Sequence, residues 1–259
     1  MDYVIKVIKT EGAWSKVMKD ITDIHCHILP GADDGAADEE ESLEMLRQAF
    51  RQGIRRLVAT PHYPSLNSWT TDRIREVCGR LEAAAREQID SDMKIYPGQE
   101  IYYMDGILDL LDEGKILTLA DSPYTLMEFH PSISYAELYR IVRQIRQRGY
   151  LPILAHVERY RCLREKDGRT GELAEAGALL QMNYTAVTGA WHDRVSRWSR
   201  RMLLERQIHM LATDMHDRKH RPPEAELAMS WMEKHLDGGY IRELCRDNPG
   251  WVLEYENTR

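Results

Sequence analysis

Histidines and carboxylates recur in this 259-residue chain at one kind of place, just past short apolar runs. His25 and His27 flank Cys26 at the end of the first run, with Asp34 in the loop beyond. His62 follows the second run, Glu100 the third, and Glu128 closes the fourth. His156 follows the fifth, and Asp214 and His216 end the last. Imidazoles two positions apart on a strand share a face, because side chains alternate. Charge inside runs as apolar as TLMEF or PILAHV is costly unless it is paired or coordinated. Nine such groups are too many for one ion with four to six positions. They suit two or three divalent ions bridged by carboxylates. Nitrogen and oxygen donors without thiolate fit manganese, iron or zinc. Cys26, between two of these groups, falls on the opposite face and reads as core.

Bridged divalent ions activate a water and clamp the attacking and leaving oxygens of a displacement. Three of them would outweigh the four carboxylates and attract a phosphate dianion, so phosphate-ester hydrolysis is the natural reaction. Arg159, three residues past His156, and Arg221, five past His216, are candidates to hold the phosphate in a bidentate grip. Asp34 counts among both the ligands and the catalytic groups. A cysteine-based phosphatase would need an arginine six residues after its cysteine. Those positions hold Ala32, Ala84, Gly168 and Trp251. The chain also has no GxxxxGK[ST] loop and no HExxH helix. His130, His192, His209, His220 and His235 lack comparable placement and read as structural.

These groups must be carried by buried strands. The candidates are Ile21–His25, Ile54–Thr60, Met93–Pro97, Tyr124–Phe129, Leu151–Ala155, Ala178–Asn183 and Ile208–Thr213, compact apolar runs of the parallel-sheet kind. Between them lie amphipathic helices. Asp38 and Glu41 form a capping-box-like start before the apolar face Leu43, Leu46, Ala49 and Phe50, which Gly53 ends. Ile74, Val77, Cys78 and Leu81 form another face. Leu138, Ile141, Val142 and Ile145 form a third, ended by Gly149. Further helices are expected around Asp105–Asp112, Arg194–Glu205 and Glu224–His235. Alternation of this kind means an α/β fold. An open doubly wound sheet would spread the strand ends along an edge, whereas a barrel brings them to one face. The fold expected from the residues is therefore a single closed or nearly closed α/β barrel carrying these seven strands.

Composition agrees with this. The chain is 43% hydrophobic and 30% charged with a net charge of −7, which lacks the basic footprint of a nucleic-acid binder. No apolar stretch has membrane-spanning length, and the N-terminus does not read as a secretory signal, so a cytoplasmic location without membrane insertion is expected. Four widely spaced cysteines without a CxxC pair read as free thiols.

The segments DIHCHILPGADDGA, ATPHY, YPGQEI, LMEFH, AHVERY and ATDMH…RPP resemble the polymerase-and-histidinol-phosphatase (PHP) superfamily, and within it the bacterial tyrosine-protein phosphatases of capsular and exopolysaccharide loci. The similarity runs from Ile21 to the Asn248-Pro249 segment. It implies a single-domain distorted (β/α)7 barrel over residues 21–259, with residues 1–20 an N-terminal extension, and a manganese-dependent phosphatase acting on the phosphotyrosine tail of a partner tyrosine kinase. By motif, His25, His27, Asp34, His62, Glu100, Glu128, His156, Asp214 and His216 match the ligand positions, and Arg159 and Arg221 the phosphate-contacting arginines. AHVERY stands where the family usually has AHPERY, EFHPSIS replaces an EFP-type turn, and Asn183–Arg194 departs from the common form. A small-molecule phosphatase of the histidinol-phosphatase type and a non-catalytic, metal-stabilised kinase-binding module are the alternatives. The leading reading accommodates a homo-oligomer.

Overall fold

The computed structural model describes residues 20–65, 67 and 69–255. Nearly all of the expected N-terminal extension, residues 1–19, lies outside the described residues. Nine strand segments run β1 (Ile21–Cys26), β2 (Ile54–Ala59), β3 (His62–Tyr63), β4 (Lys94–Pro97), β5 (Glu100–Tyr102), β6 (Tyr124–Glu128), β7 (Leu151–Leu154), β8 (Leu179–Asn183) and β9 (Met210–Ala212). Every pairing among them is parallel. β2 continues into β3 across Thr60-Pro61, and β4 into β5 across Gly98-Gln99. The nine segments therefore make the seven staves anticipated from the sequence. β1 and β9 close the ring through Asp214 N–H to His25 O at 2.9 Å and His27 N–H to Met215 O at 2.9 Å. The architecture is a distorted seven-stranded β/α barrel.

The α-helices are α1 (Glu39–Arg51), α2 (Thr71–Gln88), α3 (Ile107–Asp112), α4 (Tyr135–Gln147), α5 (Arg161–Glu165), α6 (Arg169–Glu175), α7 (Arg194–Leu204), α8 (Ala225–His235), α9 (Gly238–Arg242) and α10 (Asn248–Leu253). α1 shows how local sequence sets such a helix. The Asp38 side chain accepts from Glu41 N–H at 2.9 Å, a direct N-cap. Glu41 reaches back to Ala37 N–H, one residue earlier than a capping box would have it. Gly53 then takes the left-handed conformation, φ 91°, which ends the helix and turns the chain into β2. Leu43, Met45, Leu46 and Ala49 are the buried face.

Two apolar layers follow. Ile24, Val58, Leu126, Ile153, Met210 and Ala212 fill the inside of the barrel, joined by Leu119 and Val252. A larger cluster, including Ile21, Leu57, Met127, Leu154 and the helix faces, fills the space outside it. Each aliphatic side chain buried in these layers stabilises the fold by roughly 1.5–3 kcal/mol. Cys26 belongs to the outer cluster, as its position between two histidines required. All four cysteines are buried free thiols. No helix among the described residues is long and apolar enough to cross a membrane.

Candidate metal centre

A bulge aims the first two histidines. In β1, Asp23 pairs with Leu57 but Cys26 pairs with Ala59, so three steps on β1 match two on β2. The extra residue flips the alternation of side chains. Below it Ile24 points into the barrel; above it His25 and His27 do. Without the bulge, Cys26 would take the inward place. Asp23 secures the spot, accepting from Thr213 N–H at 3.1 Å and Thr213 Oγ1 at 2.6 Å across the closing seam. Burial lifts its carboxyl to about 6 against the pull of those hydrogen bonds.

At the ends of β7 and β9 the backbone itself is bent. His156 and Asp214 have φ of 34° and 53°, a left-handed region that non-glycine residues rarely occupy. Such conformations cost of order 1–3 kcal/mol and cluster at functional sites. Both place a candidate ligand where its strand ends. Gly35 makes room from below: a Cβ there would stand 2.2 Å from His27 O. Only glycine lets the Asp33–Ala36 loop fold onto β1.

The nine residues singled out by sequence meet on this one face. His25, His27, Glu100 and Asp214 form a fully buried group of donor atoms within 4.8 Å of one another. His27, Asp34, His62 and His216 form a second, and His62, Glu100 and Glu128 a third. His156 joins them, its Nε2 2.9 Å from Glu100 Oε1 and 3.4 Å from Glu128 Oε1. Asp34 is the most open member, with its side chain 66% exposed and its Oδ1 3.5 Å from His62 Nε2. The face opens into a cleft of about 410 Å³, lined in part by Asp34, His62, Tyr102 and Glu128.

Glu100 is the hub. Its Oε2 lies 3.1 Å from His25 Nε2, 3.2 Å from His27 Nε2 and 3.1 Å from His62 Nδ1. Yet this buried oxygen makes no hydrogen bond, and buried His216 Nε2 likewise has no partner. His25 Nε2 and His27 Nε2 face each other at 3.3 Å. Buried acceptors pointed at a common centre are costly unless a cation stands among them. The donor set thus fits divalent metal ions.

The far nitrogens of three of the rings are tied down, as in known metal sites. His25 Nδ1 is 3.1 Å from Gln181 Oε1, His27 Nδ1 is 2.7 Å from Asp33 Oδ2, and His216 Nδ1 is 2.9 Å from Asp214 O. Each bond leaves Nε2 free to face the centre. Sequence reasoning missed Asp33, Gln181 and Asn183. Asp33 is the buried member of the Asp33-Asp34 pair and also accepts from His62 N–H at 2.9 Å. Gln181 accepts from His156 N–H at 2.8 Å and donates to Asn183 Oδ1 at 2.9 Å, while Asn183 donates to Asp214 Oδ2 at 2.8 Å. Two polar residues in the buried strand LLQMN were the available signal.

The charges interlock. Burial opposes ionisation of Asp33, but the bond from His27 outweighs it and holds the carboxyl well below its usual range. For Glu100 and Asp214, too, burial is outweighed, first by the charge of His25, and both lie well below the ordinary range. Burial works against the charged form of His156, yet hydrogen bonds to Glu100 and Glu128 raise it to about 9. His216 goes the other way, down to about 3, through burial and the charge on His27. Arg159 and Arg221 stand at the edge, both on Asp214 Oδ2, Arg221 at 2.9 Å. His130, His192, His209, His220 and His235 join none of these groups.

A family model for capsular polysaccharide synthesis, CpsB/CapC, matches residues 21–254. The chain belongs to this family. It is 34% identical over 237 residues to the tyrosine-protein phosphatase CpsB of Streptococcus pneumoniae, spanning 89% of this chain and 97% of that one. It is 35% identical over 235 residues to the tyrosine-protein phosphatase YwqE of Bacillus subtilis, spanning 89% and 91%. A crystal structure from work on YwqE and CpsB, described as unique metal-dependent tyrosine phosphatases, superposes with a TM-score of 0.80 at 32% identity, covering 90% of this chain and 94% of that one. A β-aspartyl dipeptidase from Fervidobacterium islandicum AW-1 shares the fold alone, with a TM-score of 0.53 at 15% identity, covering 91% of this chain and 72% of that one. The family model thus spans the chain from β1 through α10.

Proposed function

We propose that this CpsB/CapC chain is a metal-dependent protein-tyrosine phosphatase whose substrate is the phosphotyrosine of a bacterial tyrosine kinase controlling capsular or exopolysaccharide synthesis. The observation that carries the reading is Glu100 Oε2, bare of hydrogen bonds among three imidazole nitrogens at 3.1–3.2 Å, in a chain whose relatives are named tyrosine phosphatases. The proposed ligands are His25, His27, Asp34, His62, Glu100, Glu128, His156, Asp214 and His216, holding two or three divalent ions, manganese foremost. The proposed unit begins at Ile21, with residues 1–20 an extension to it, and acts in the cytoplasm.

Bound there, divalent ions supply Lewis acidity and an activated water. The chain's own residues do the rest. Gln181, Asp33 and the Asp214 carbonyl fix the imidazole tautomers. Arg159 and Arg221, held at the rim by Asp214, turn guanidinium forks toward an incoming phosphate and stabilise charge that develops on its oxygens. Asp34, at the mouth of the cleft, stands where substrate enters.

The test is reconstitution. Protein stripped by chelator should be inactive, and manganese should restore more activity than zinc or iron. Phosphotyrosine peptide should be preferred over phosphoserine peptide and histidinol phosphate. A preference for histidinol phosphate would transfer the enzyme to small-molecule chemistry. Full activity in protein shown by elemental analysis to be metal-free would end the proposal.

A further inference from the structure

Next to the metal-bearing face lies a groove of about 640 Å³ of unusual charge. α5 lines one side with Arg161 and Arg164, and α7 the other with Arg194, Arg197 and Arg201. Trp198 also lines it, with its side chain almost wholly buried. Five arginines meet one carboxylate, Glu165, in a chain whose overall charge is −7. Spacings of three and four residues put Arg194, Arg197 and Arg201 on one stripe of α7.

Arg201 already pairs with Asp167 at 2.7 Å, and Arg164 bonds to the Glu158 carbonyl. Among the described residues, the guanidinium groups of Arg161, Arg194 and Arg197 have no such partner. Like charges gathered this way repel one another unless anions lie between them. The groove is not part of the metal centre but adjoins it, since Arg161 is two residues past Arg159 and α5 begins where the loop after β7 ends.

We infer that this groove docks an acidic stretch of the polypeptide substrate, a run of aspartate or glutamate side chains flanking the phosphotyrosine. This deepens the phosphatase reading and rests on it. Three features favour a row of carboxylates over a single compact anion. The α7 stripe runs over seven helical steps, about 10 Å at the helical rise. The guanidinium groups come from two elements and so present separate forks. At the groove's edge the pairing already made is of arginine with carboxylate. Long flanking contacts of this sort raise apparent affinity and encounter rate more than turnover.

The experiment uses the full-length, metal-loaded protein. Two phosphotyrosine peptides are compared, one flanked by four glutamates and one by four alanines, together with p-nitrophenyl phosphate. A fluorescent glutamate peptide lacking phosphotyrosine reports binding by anisotropy. The variant is Arg194→Ala/Arg197→Ala, checked for native melting temperature. Wild type should favour the glutamate peptide by about tenfold in kcat/KM, mostly through KM, with the preference shrinking as salt rises. The variant should lose most of that preference while hydrolysing p-nitrophenyl phosphate as wild type does. Equal use of both peptides by wild type, or an undiminished preference in the variant, overturns the inference. So does equal competition by an oligonucleotide of the same charge, which would mark a general polyanion surface. Binding of the fluorescent peptide by wild type but not variant, with no phosphotyrosine hydrolysis under any metal, would instead retain the groove and remove the phosphatase reading.

Discussion

The proposed metal centre has an inner and an outer half, and they are built differently. His25, His27, Glu100 and Asp214 are closed off from solvent and braced by Gln181, Asp33 and Asn183. Asp34, His62 and Glu128 border the open cleft, and Asp34 has no hydrogen-bonded brace among the described residues. Pre-oriented ligands lose little freedom on binding, so the inner half should hold its ion more tightly and exchange it more slowly. In the proposed mechanism the outer half, on the open cleft, is the one with room for a substrate oxygen. Glu100 belongs to both halves and couples them.

Removing the coupling group should do the most damage. Glu100→Ala and His27→Ala should each lower kcat at least about 10²-fold and deplete bound metal. Glu128→Ala should leave the inner ion in place, measured by elemental analysis after brief dialysis. Cys26→Ser is the control and should keep most activity. If Cys26→Ser abolished turnover while His27→Ala did not, the two-half picture would give way to thiol chemistry.

Arg159→Ala probes the rim alone. It should retain full metal content and a native fold, yet lose about 2–4 kcal/mol of transition-state stabilisation in kcat/KM on a phosphotyrosine peptide, the range for one oriented donor. Arg159→Lys should recover little, because a point charge does not reproduce the fork. Because Arg159 also pairs with Asp214, normal turnover per metal with depleted metal would make it a brace of the inner half.

The smallest expected effect sharpens the contrast in bracing. Asp33→Asn should weaken metal affinity by about 10–100-fold without removing a ligand. Protons matter here too. In the metal-free protein His156 is charged below about 9, and a metal ligand must be neutral. Metal binding at pH 7 should therefore release protons, and affinity should fall as pH falls. The sign reverses for the metal-free fold: the His156 contribution is full below the unfolded value near 6.5 and disappears as pH rises through about 9. Calorimetry in two buffers of different ionisation enthalpy measures the release, and none at all would contradict this charge assignment.

Much of this was legible in the sequence because parallel strands announce themselves as apolar runs and their ends as polar exceptions. The runs beginning at Ile21, Ile54 and Tyr124 became strands beginning at those residues. β3 and β5 did not stand out, since two or three residues after a Pro61 or Gly98 break carry no periodic signal. Nor did α5, α6, α9 and α10, each seven residues or fewer. α3 begins two residues later than the Asp105 expected, after left-handed Gly106. The ligand-type residues could be named because charge in an apolar run needs a reason. Asp33 could not be told from Asp34, because which neighbour turns inward depends on the tight approach of Gly35 to His27. The bulge at Asp23–Cys26 was likewise invisible, being a matter of register between strands.

Asp23 and Thr213, locked together across the barrel seam, are 190 positions apart in the chain. His25 and His27 therefore wait for Asp214 before the proposed inner site is complete. On a ribosome, a nascent chain would expose His25 and His27 long before their partners are synthesised. Contacts this distant form slowly. A half-made barrel can offer a passing ion only a stray pair of imidazoles, so the choice of metal falls to the finished protein.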